Sequence, residues 1–339
     1  MQFSADLDLQ LDADLSKFNT LGIPARARYL TAINSTVLLA QVLRFAQDAN
    51  QAVLVLGQGS NTVLTQDFDG VVILNQLTGV SVTAETDTHV DLRVAAGENW
   101  HQLVSLAVRK RWYGIENLAL IPGLVGAAPI QNIGAYGAEV KDVITSVEYL
   151  DRTTLATHTL SNHACEFAYR DSVFKNALCD ATIITAVHIR LNKCAPLNLV
   201  YPALADAAGA QPSLESVFHA VCRIRSEKLP DPAEIPNAGS FFKNPVVTAE
   251  HHQRLKSWFP DIVSFATDEG YKLAAGWLIE RAGWKNKEIA GVRVHQQQAL
   301  VVINPANRSG VDVMAFAAAI QQDIARIYNV QLEVEPRIY

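Results

Sequence analysis

LALIPGLVGAAPIQNIGAYGAEV, running from Leu118 to Val140, holds four glycines, two prolines and a single charged residue. It is too interrupted for an amphipathic helix and for a long strand. Glycine has no Cβ and reaches φ > 0, so the backbone here can approach a ligand and aim successive N–H groups at it. Amides that converge on a concavity bind anions, phosphates above all. Gly123 and Gly126 alone would fit a buried crossover between two strands equally well. A bare crossover gives no reason for Gln131, Asn132 and Tyr136, three hydrogen-bonding residues, to sit inside the run.

A second glycine cluster lies upstream. Gly57-Gln58-Gly59-Ser60-Asn61 follows the apolar run Ala52 to Leu56. A strand followed by a glycine-rich turn is a common seat for nucleotide phosphates. Thr62 breaks the dinucleotide pattern G-x-G-x-x-G, and no Gly-Lys-Ser/Thr follows to make a P-loop. Taken alone, the pentapeptide reads as a turn without a ligand. Two such clusters in one chain favour a large phosphorylated ligand or cofactor.

The 339 residues suit about two domains or three small ones. A 49% hydrophobic and 18% charged composition fits a soluble protein with a sizeable core. The net charge of −6 argues against nucleic-acid binding. The acidic start MQFSADLDLQLDADL lacks the cationic and apolar regions of a signal peptide, and no apolar run is long enough to span a membrane. Cys165, Cys179, Cys194 and Cys222 are widely spaced, so reduced thiols in a cytoplasm are expected. The nine histidines show no metal-ligand spacing; His251-His252 reads as solvated, and no metal is expected.

Residues 1–15 read as a loosely held lead-in. Thr36 to Asn50 has helical spacing with Asn34 or Ser35 as cap, followed by strands at 52–56 and 71–75. Val90 to Val94 alternates as a half-buried strand does, and Trp100 to Trp112 reads as a helix. Val143–Leu150 and Thr153–Leu160 suggest a hairpin, and Ala181–Leu191 a long strand. Ser213 to Lys228 is a helix that Leu229-Pro230-Asp231-Pro232 stops, which marks a domain boundary. Beyond it lie helices near 249–258, 273–281 and 311–328, a strand at 300–304 and a final strand from Val330 to Ile338.

Three segments carry candidate chemistry. In Phe167-Ala168-Tyr169-Arg170-Asp171-Ser172, Arg170 and Asp171 are either a surface pair, or Arg170 is a fixed cation for a carboxylate or oxyanion. In Asn237-Ala238-Gly239-Ser240-Phe241-Phe242-Lys243-Asn244-Pro245, Ser240 offers a hydroxyl after a flexible glycine, without the elbow of a serine hydrolase. Capping a turn is its simpler reading. Strand alternation would put Glu333 and Glu335 on one face, either solvated or paired in a cleft.

Together, LALIPGLVGAAPIQNIGAYG, FAYRDSVFK, KLPDP, NAGSFFKNP, KLAAGWLIE and LEVE resemble, in order, the motifs of the UDP-N-acetylenolpyruvoylglucosamine reductases. The resemblance runs from about Asn19 to Glu335. It implies an α+β fold: a vanillyl-alcohol-oxidase (PCMH)-type FAD-binding module of two subdomains, 1–77 and 78–230, then a substrate-binding domain, 231–339, whose last strand returns to the active site. It implies non-covalent FAD, with NADPH as hydride donor. Gly57, Gln58, Gly59, Ser60, Asn61, Pro122, Gly123, Gln131, Asn132, Ile133, Gly134, Tyr136 and Gly137 fall on cofactor positions. Arg170, Ser240 and Glu335 fall on catalytic positions, and Tyr201, Lys228 and Asn244 on substrate positions of a longer subgroup whose Tyr closes over the substrate. A cytoplasmic monomer of peptidoglycan precursor synthesis is expected, acting on a UDP-sugar enolpyruvyl ether. The alternatives are an FAD-dependent oxidoreductase of the same fold with another substrate, a flavin-binding protein without turnover, and a nucleotide-sugar-binding module.

Overall fold

Ser35 stands in extended backbone, and its Oγ accepts the Leu38 amide at 3.2 Å to open the helix Thr36–Asp48. Such a cap satisfies one of the four amides a helix N-terminus leaves bare. Leu39, Val42, Leu43 and Ala46 then share its buried face. The computed structural model describes residues 7–339, and the helix belongs to the first of two compact units. That unit takes residues up to Ala13, then 27–58 and 69–226; the second takes 14–26, 59–68 and 227–339.

In the first unit a four-stranded sheet has the order Gln10–Asp14, Arg26–Ile33, Phe68–Asn75, Ala52–Leu56. The last two run parallel, with Val53 opposite Val71 and Val55 opposite Ile73. The helix Thr36–Asp48 buries its apolar face against Ile33, Val71 and Ile73. Each such side chain contributes about 1.5–3 kcal/mol relative to exposure.

The same unit carries a five-stranded antiparallel sheet, ordered Thr157–Ser161, Ile144–Asp151, Thr182–Asn192, His89–Ala95, Val80–Glu85. Register sets Val187 opposite Val147 on one side and Val94 on the other. One face packs with the helix Trp100–Arg109, and the glycine-rich stretch adds Leu118, Val125, Ala128, Ile133 and Val140 to this core. The alternate face is charged. Glu148 accepts Arg93 at 2.9 and 2.7 Å and meets His188 Nε2 at 2.6 Å. Arg93, with His188 in support, holds the Glu148 carboxyl below its ordinary range.

The second unit has a four-stranded sheet, ordered Asn237–Ser240, Val301–Ile303, Val292–Val294, Glu288–Ile289. A three-stranded one runs Val246–Val247, Gly270–Leu273, Ser264–Thr267. Helices Ala249–Trp258, Ala275–Arg281 and Gly310–Tyr328 accompany them. Arg337–Ile338 pairs in parallel with Thr62–Val63. Gly310 starts the longest helix because a Cβ there would stand 2.0 Å from the Leu64 carbonyl oxygen.

Several expectations need correction. Within the expected lead-in, Gln10–Asp14 is a strand with Ala13 fully buried; the acidic residues around it hid the buried pair Ala13 and Leu15, two residues apart. Residues 1–6 of that lead-in lie outside the described residues. The final strand is Arg337–Ile338 alone, because Pro336 has no N–H to continue a ladder. Upstream of it, Val334 makes a single bridge with Phe242. The strand expected from Thr153 begins at Thr157, since Asp151 Oδ1 takes the Thr153 and Thr154 amides and makes a turn. The segment around Tyr201 includes a helix, Pro202–Ala208, started by Pro at its first position. His251 and His252 are partnered rather than solvated: His251 Nε2 lies 3.2 Å from the Tyr328 carbonyl oxygen, and His252 stacks on Tyr271 at 3.9 Å.

Candidate active site

The strand Ala52–Leu56 delivers the turn Gly57–Asn61. Gly59 adopts φ +61°, and a Cβ on it would stand 2.1 Å from the Phe18 carbonyl oxygen. Only glycine fits. Among the described residues the Gln58, Gly59 and Ser60 amides find no protein acceptor. Three successive bare amides suit a diphosphate and fit the phosphate-bearing part of FAD. The Gln58 side-chain oxygen accepts the Gly123 amide at 2.8 Å, so the two glycine clusters are tied directly. Gly123 has φ +120° and is buried, while Pro122 beside it is exposed.

Beyond Gly123, a short turn of 3-10 helix, Val125–Ala127, leads to a small hairpin, Gly134–Ala135 with Ala138–Glu139. Gln131, Gly134 and Tyr136 are partly exposed and Gly137 exposed, available to a ligand, whereas Ile133 is buried. Asn132 differs. Its side chain is fully buried at φ +44°, donates to Glu139 Oε2 and the Ala168 carbonyl, both at 3.0 Å, and accepts the Lys141 amide at 3.1 Å. Its side chain organises the protein around the turn.

Ala168 begins the tight turn that presents Arg170, itself at φ +56°. Arg170 Nη2 donates to the Gly134 carbonyl at 2.7 Å, and its guanidinium lies over the Tyr169 ring at 5.3 Å. A Cβ at Gly134 would press on Arg170 Nη1 at 3.1 Å, so the glycine also makes room for the cation. Asp171 turns to Asn176 instead, which disposes of the surface-pair reading.

Tyr136 meets Tyr201 edge to face at 5.2 Å between ring centres. Asn117 holds the two segments together, donating to the Tyr136 carbonyl at 2.8 Å and the Asn198 carbonyl at 2.9 Å. Asn198 Nδ2 returns a bond to the Gly137 carbonyl at 2.9 Å. Asn117 is 1% exposed, and its Oδ1 has no partner among the described residues. Burial pushes the Tyr136 phenol up. Arg225 donates to the Leu120 carbonyl at 3.3 Å, and burial lowers its guanidinium from the ordinary value. Asn117 and Arg225 were not singled out from the sequence. Arg225 could have been: it stands four residues after Val221 and seven after Phe218, on the inward stripe of its helix.

In the second unit the Ser240 segment and the Glu335 segment run side by side. Glu335 donates its amide to the Phe241 carbonyl at 2.9 Å, and Lys243 donates to the Glu333 carbonyl at 2.9 Å. The Glu333 carboxylate is exposed and paired with Lys243 at 2.5 Å, while Glu335 is half-buried. Asn237, 2% exposed, shapes the approach to Ser240: its Oδ1 accepts the Gly239 amide at 2.8 Å, and Gly239 sits at φ +67°. Ser240 Oγ has no protein partner among the described residues. Asn61 reaches the Glu335 carbonyl at 3.5 Å and accepts the Arg337 amide. Asn244 Oδ1 accepts the Ala275 amide at 2.9 Å, opening the helix Ala275–Arg281. Lys228 ends the helix Leu214–Lys228 exposed.

A family model described as UDP-N-acetylenolpyruvoylglucosamine reductase, C-terminal domain, matches residues 231–339, and one described as an FAD binding domain matches residues 28–159. The chain is 44% identical to the UDP-N-acetylenolpyruvoylglucosamine reductase of Aliivibrio fischeri, over 98% of this chain and 95% of that one. It is 45% identical to the protein of the same name from Pasteurella multocida, over 96% and 95%. Among solved structures, the UDP-N-acetylenolpyruvylglucosamine reductase of Thermus caldophilus superposes with a TM-score of 0.70 at 22% identity, covering 98% of this chain and 99% of that one. At that identity the likeness is one of fold, and it bears out the α+β expectation. The FAD-binding match spans both glycine clusters.

Proposed function

We propose, from the premise that this chain belongs to the UDP-N-acetylenolpyruvoylglucosamine reductase family, that it uses NADPH and one non-covalent FAD to reduce UDP-N-acetylenolpyruvoylglucosamine to UDP-N-acetylmuramate for peptidoglycan precursors. The observation that carries the reading is the pairing of Phe241 with Glu335, which sets a hydroxyl without protein partners and a half-buried carboxyl on adjacent chain segments.

The Gly57–Asn61 amides would hold the cofactor's diphosphate, and the backbone of Pro122, Gly123, Gln131, Ile133, Gly134, Tyr136 and Gly137 its remaining length. Bound FAD supplies the redox chemistry, a hydride taken from NADPH and given to the terminal methylene carbon of the substrate. Arg170 balances the charge that develops on the substrate's carboxylate, and Glu335 donates a hydrogen bond to it when protonated. Ser240 Oγ then gives a proton to the neighbouring carbon. Tyr201 covers the nucleotide sugar, while Lys228 and the Asn244 amide nitrogen bind it. The chain works as a monomer in the cytoplasm; no helix among the described residues is long and apolar enough to cross a membrane.

Anaerobic addition of NADPH to the purified protein should bleach a flavin band, and the enolpyruvyl nucleotide should restore it. A bleached band that no enolpyruvyl nucleotide restores would refute the assignment.

A further inference from the structure

Asn237 takes no part in the steps above, yet the backbone at Ser240 depends on it. The strand Asn237–Ser240 pairs with Val301–Ile303, with Asn237 opposite Ile303 and Ser240 opposite Val301. Three steps along one strand match two along the other, which makes a bulge. Its extra residue gives Ser240 the register position that residue 239 would hold in a regular strand. A slip of one residue turns a side chain to the opposite face of a sheet, so the bulge decides which face carries the Ser240 hydroxyl. Gly239 supplies the positive φ, +67°. The regular bonding resumes at Phe241, whose amide donates to the Leu300 carbonyl at 2.8 Å.

The Asn237 side chain pins that bulge. Its Oδ1 accepts the Gly239 amide at 2.8 Å, a bond to the second residue on that closes the turn in front of Ser240. Its Nδ2 donates to the Ile235 carbonyl at 2.8 Å and to the Pro230 carbonyl at 3.1 Å, two residues beyond Lys228. Both N–H groups and the oxygen are engaged within the protein, and the residue is 2% exposed, so it works by holding backbone. Its own main chain is fixed in turn. The Asn237 amide donates to the Thr20 carbonyl at 2.9 Å, and the Asn304 amide to the Pro236 carbonyl at 2.8 Å. The Thr20 amide donates to the Gly59 carbonyl at 3.2 Å, in the turn proposed to hold the cofactor's diphosphate. Asn237 is therefore a fixed point from which the Gly239 amide, and the hydroxyl after it, are set.

We propose that Asn237 is a positioning residue for the proton transfer: by taking the Gly239 amide it fixes the bulge that aims Ser240 Oγ at the substrate carbon. This deepens the reductase reading and rests on it. In the transfer the Ser240 O–H bond breaks as a C–H bond forms at that carbon, and solvent returns a proton to the oxygen. Misplacement by an ångström costs such a step about a hundredfold. Flavin reduction by NADPH does not pass through Ser240 and has no need of the bulge. An asparagine that merely stabilised the fold would act alike whether or not the serine hydroxyl is present.

The test is a double-mutant cycle on the holoenzyme, read by stopped-flow reoxidation of the NADPH-reduced flavin with saturating enolpyruvyl nucleotide. Asn237→Ala should bind flavin, be reduced by NADPH at a near-normal rate and be reoxidised about tenfold to a hundredfold more slowly. Added to Ser240→Ala, it should slow reoxidation no further, because the group it aims is gone. Asn237→Ser should recover part of the rate, since a serine hydroxyl also accepts the amide two residues on. Equal slowing in both backgrounds, or none where Ser240 is kept, overturns the proposal. A serine variant no faster than alanine also overturns it, by placing the effect in the Pro230 and Ile235 bonds. If Asn237→Ala does not fold by circular dichroism, the same cycle is run with Asn237→Ser: slowing confined to the background that keeps Ser240 supports the role, and equal or absent slowing overturns it. Ser240→Ala reoxidised at the wild-type rate would overturn the proton-donor reading and this proposal with it. A wild-type holoenzyme that the nucleotide does not reoxidise would instead overturn the reductase reading.

Discussion

The Glu335 amide donates to the Phe241 carbonyl at 2.9 Å, one residue beyond Ser240. Phe242 and Val334 extend the pairing, and both phenylalanines are buried. Backbone pairing therefore sets the chain positions from which the hydroxyl and the carboxyl project.

Ser240→Ala should accordingly fold, bind flavin and be reduced by NADPH at a near-normal rate. Reoxidation by the enolpyruvyl nucleotide should slow about 10²–10⁴-fold, the usual worth of a general acid. Ser240→Cys should keep part of the activity. Stopped-flow absorbance separates the two halves, and equal slowing of both would leave Ser240 as a turn residue only.

Asn132→Ala removes the partners of the Ala168 carbonyl, Glu139 and the Lys141 amide together, and places at φ +44° a residue that tolerates the left-handed region less well than asparagine. A loss of roughly 2–4 kcal/mol in urea unfolding is expected. Asn132→Gly relieves the backbone alone and should recover only a fraction. Reoxidation should slow as well, since the Arg170 turn loses its anchor. Unchanged stability in both variants would contradict the anchoring role.

Tyr201→Phe keeps the ring that meets Tyr136 and removes the hydroxyl. It should weaken nucleotide-sugar affinity and leave flavin reduction by NADPH unaltered. Unchanged affinity by calorimetry would count against a covering role.

Glu148 offers a pH test far from the chemistry. Arg93 first, and His188 after it, depress its folded-state carboxyl below the ordinary 4.5. A depressed carboxyl stabilises the fold above its unfolded value, and that contribution disappears as pH falls through the folded value. Glu148→Gln should therefore destabilise at neutral pH, with the difference from wild type shrinking progressively below 4.5. A difference independent of pH in denaturant titrations would disprove the linkage.

On the proposed non-covalent binding of the cofactor, precipitation with acid should leave a yellow supernatant. Colour remaining in the pellet would show otherwise.

The elements with a local signature were legible in the sequence. Ser35 and the apolar spacing after it announced the helix Thr36–Asp48, and the glycine clusters announced a backbone that must bend closely. Asn117 had no such signature, since its work depends on Asn198, 81 residues away. The anchoring work of the Asn132 side chain was not legible either, since its partners Glu139, Ala168 and Lys141 are brought to it by the fold. The strand Gln10–Asp14 was obscured by its own charge, and the helix after Tyr201 by its brevity.

The parallel pairing of Arg337–Ile338 with Thr62–Val63 bears on biogenesis. Thr65 and Tyr339, bonded through the Thr65 amide and hydroxyl, are 274 residues apart along the chain. Translation proceeds at about 5–20 residues per second, so the early strand waits on the order of ten seconds or more before its partner is made. The residues that flank Asn61 and Glu335 cannot take their final geometry during that interval. Chaperone dependence and sensitivity to premature termination should both concentrate in this window, and loss of the last few residues should harm the turn at Asn61 as directly as a substitution within it.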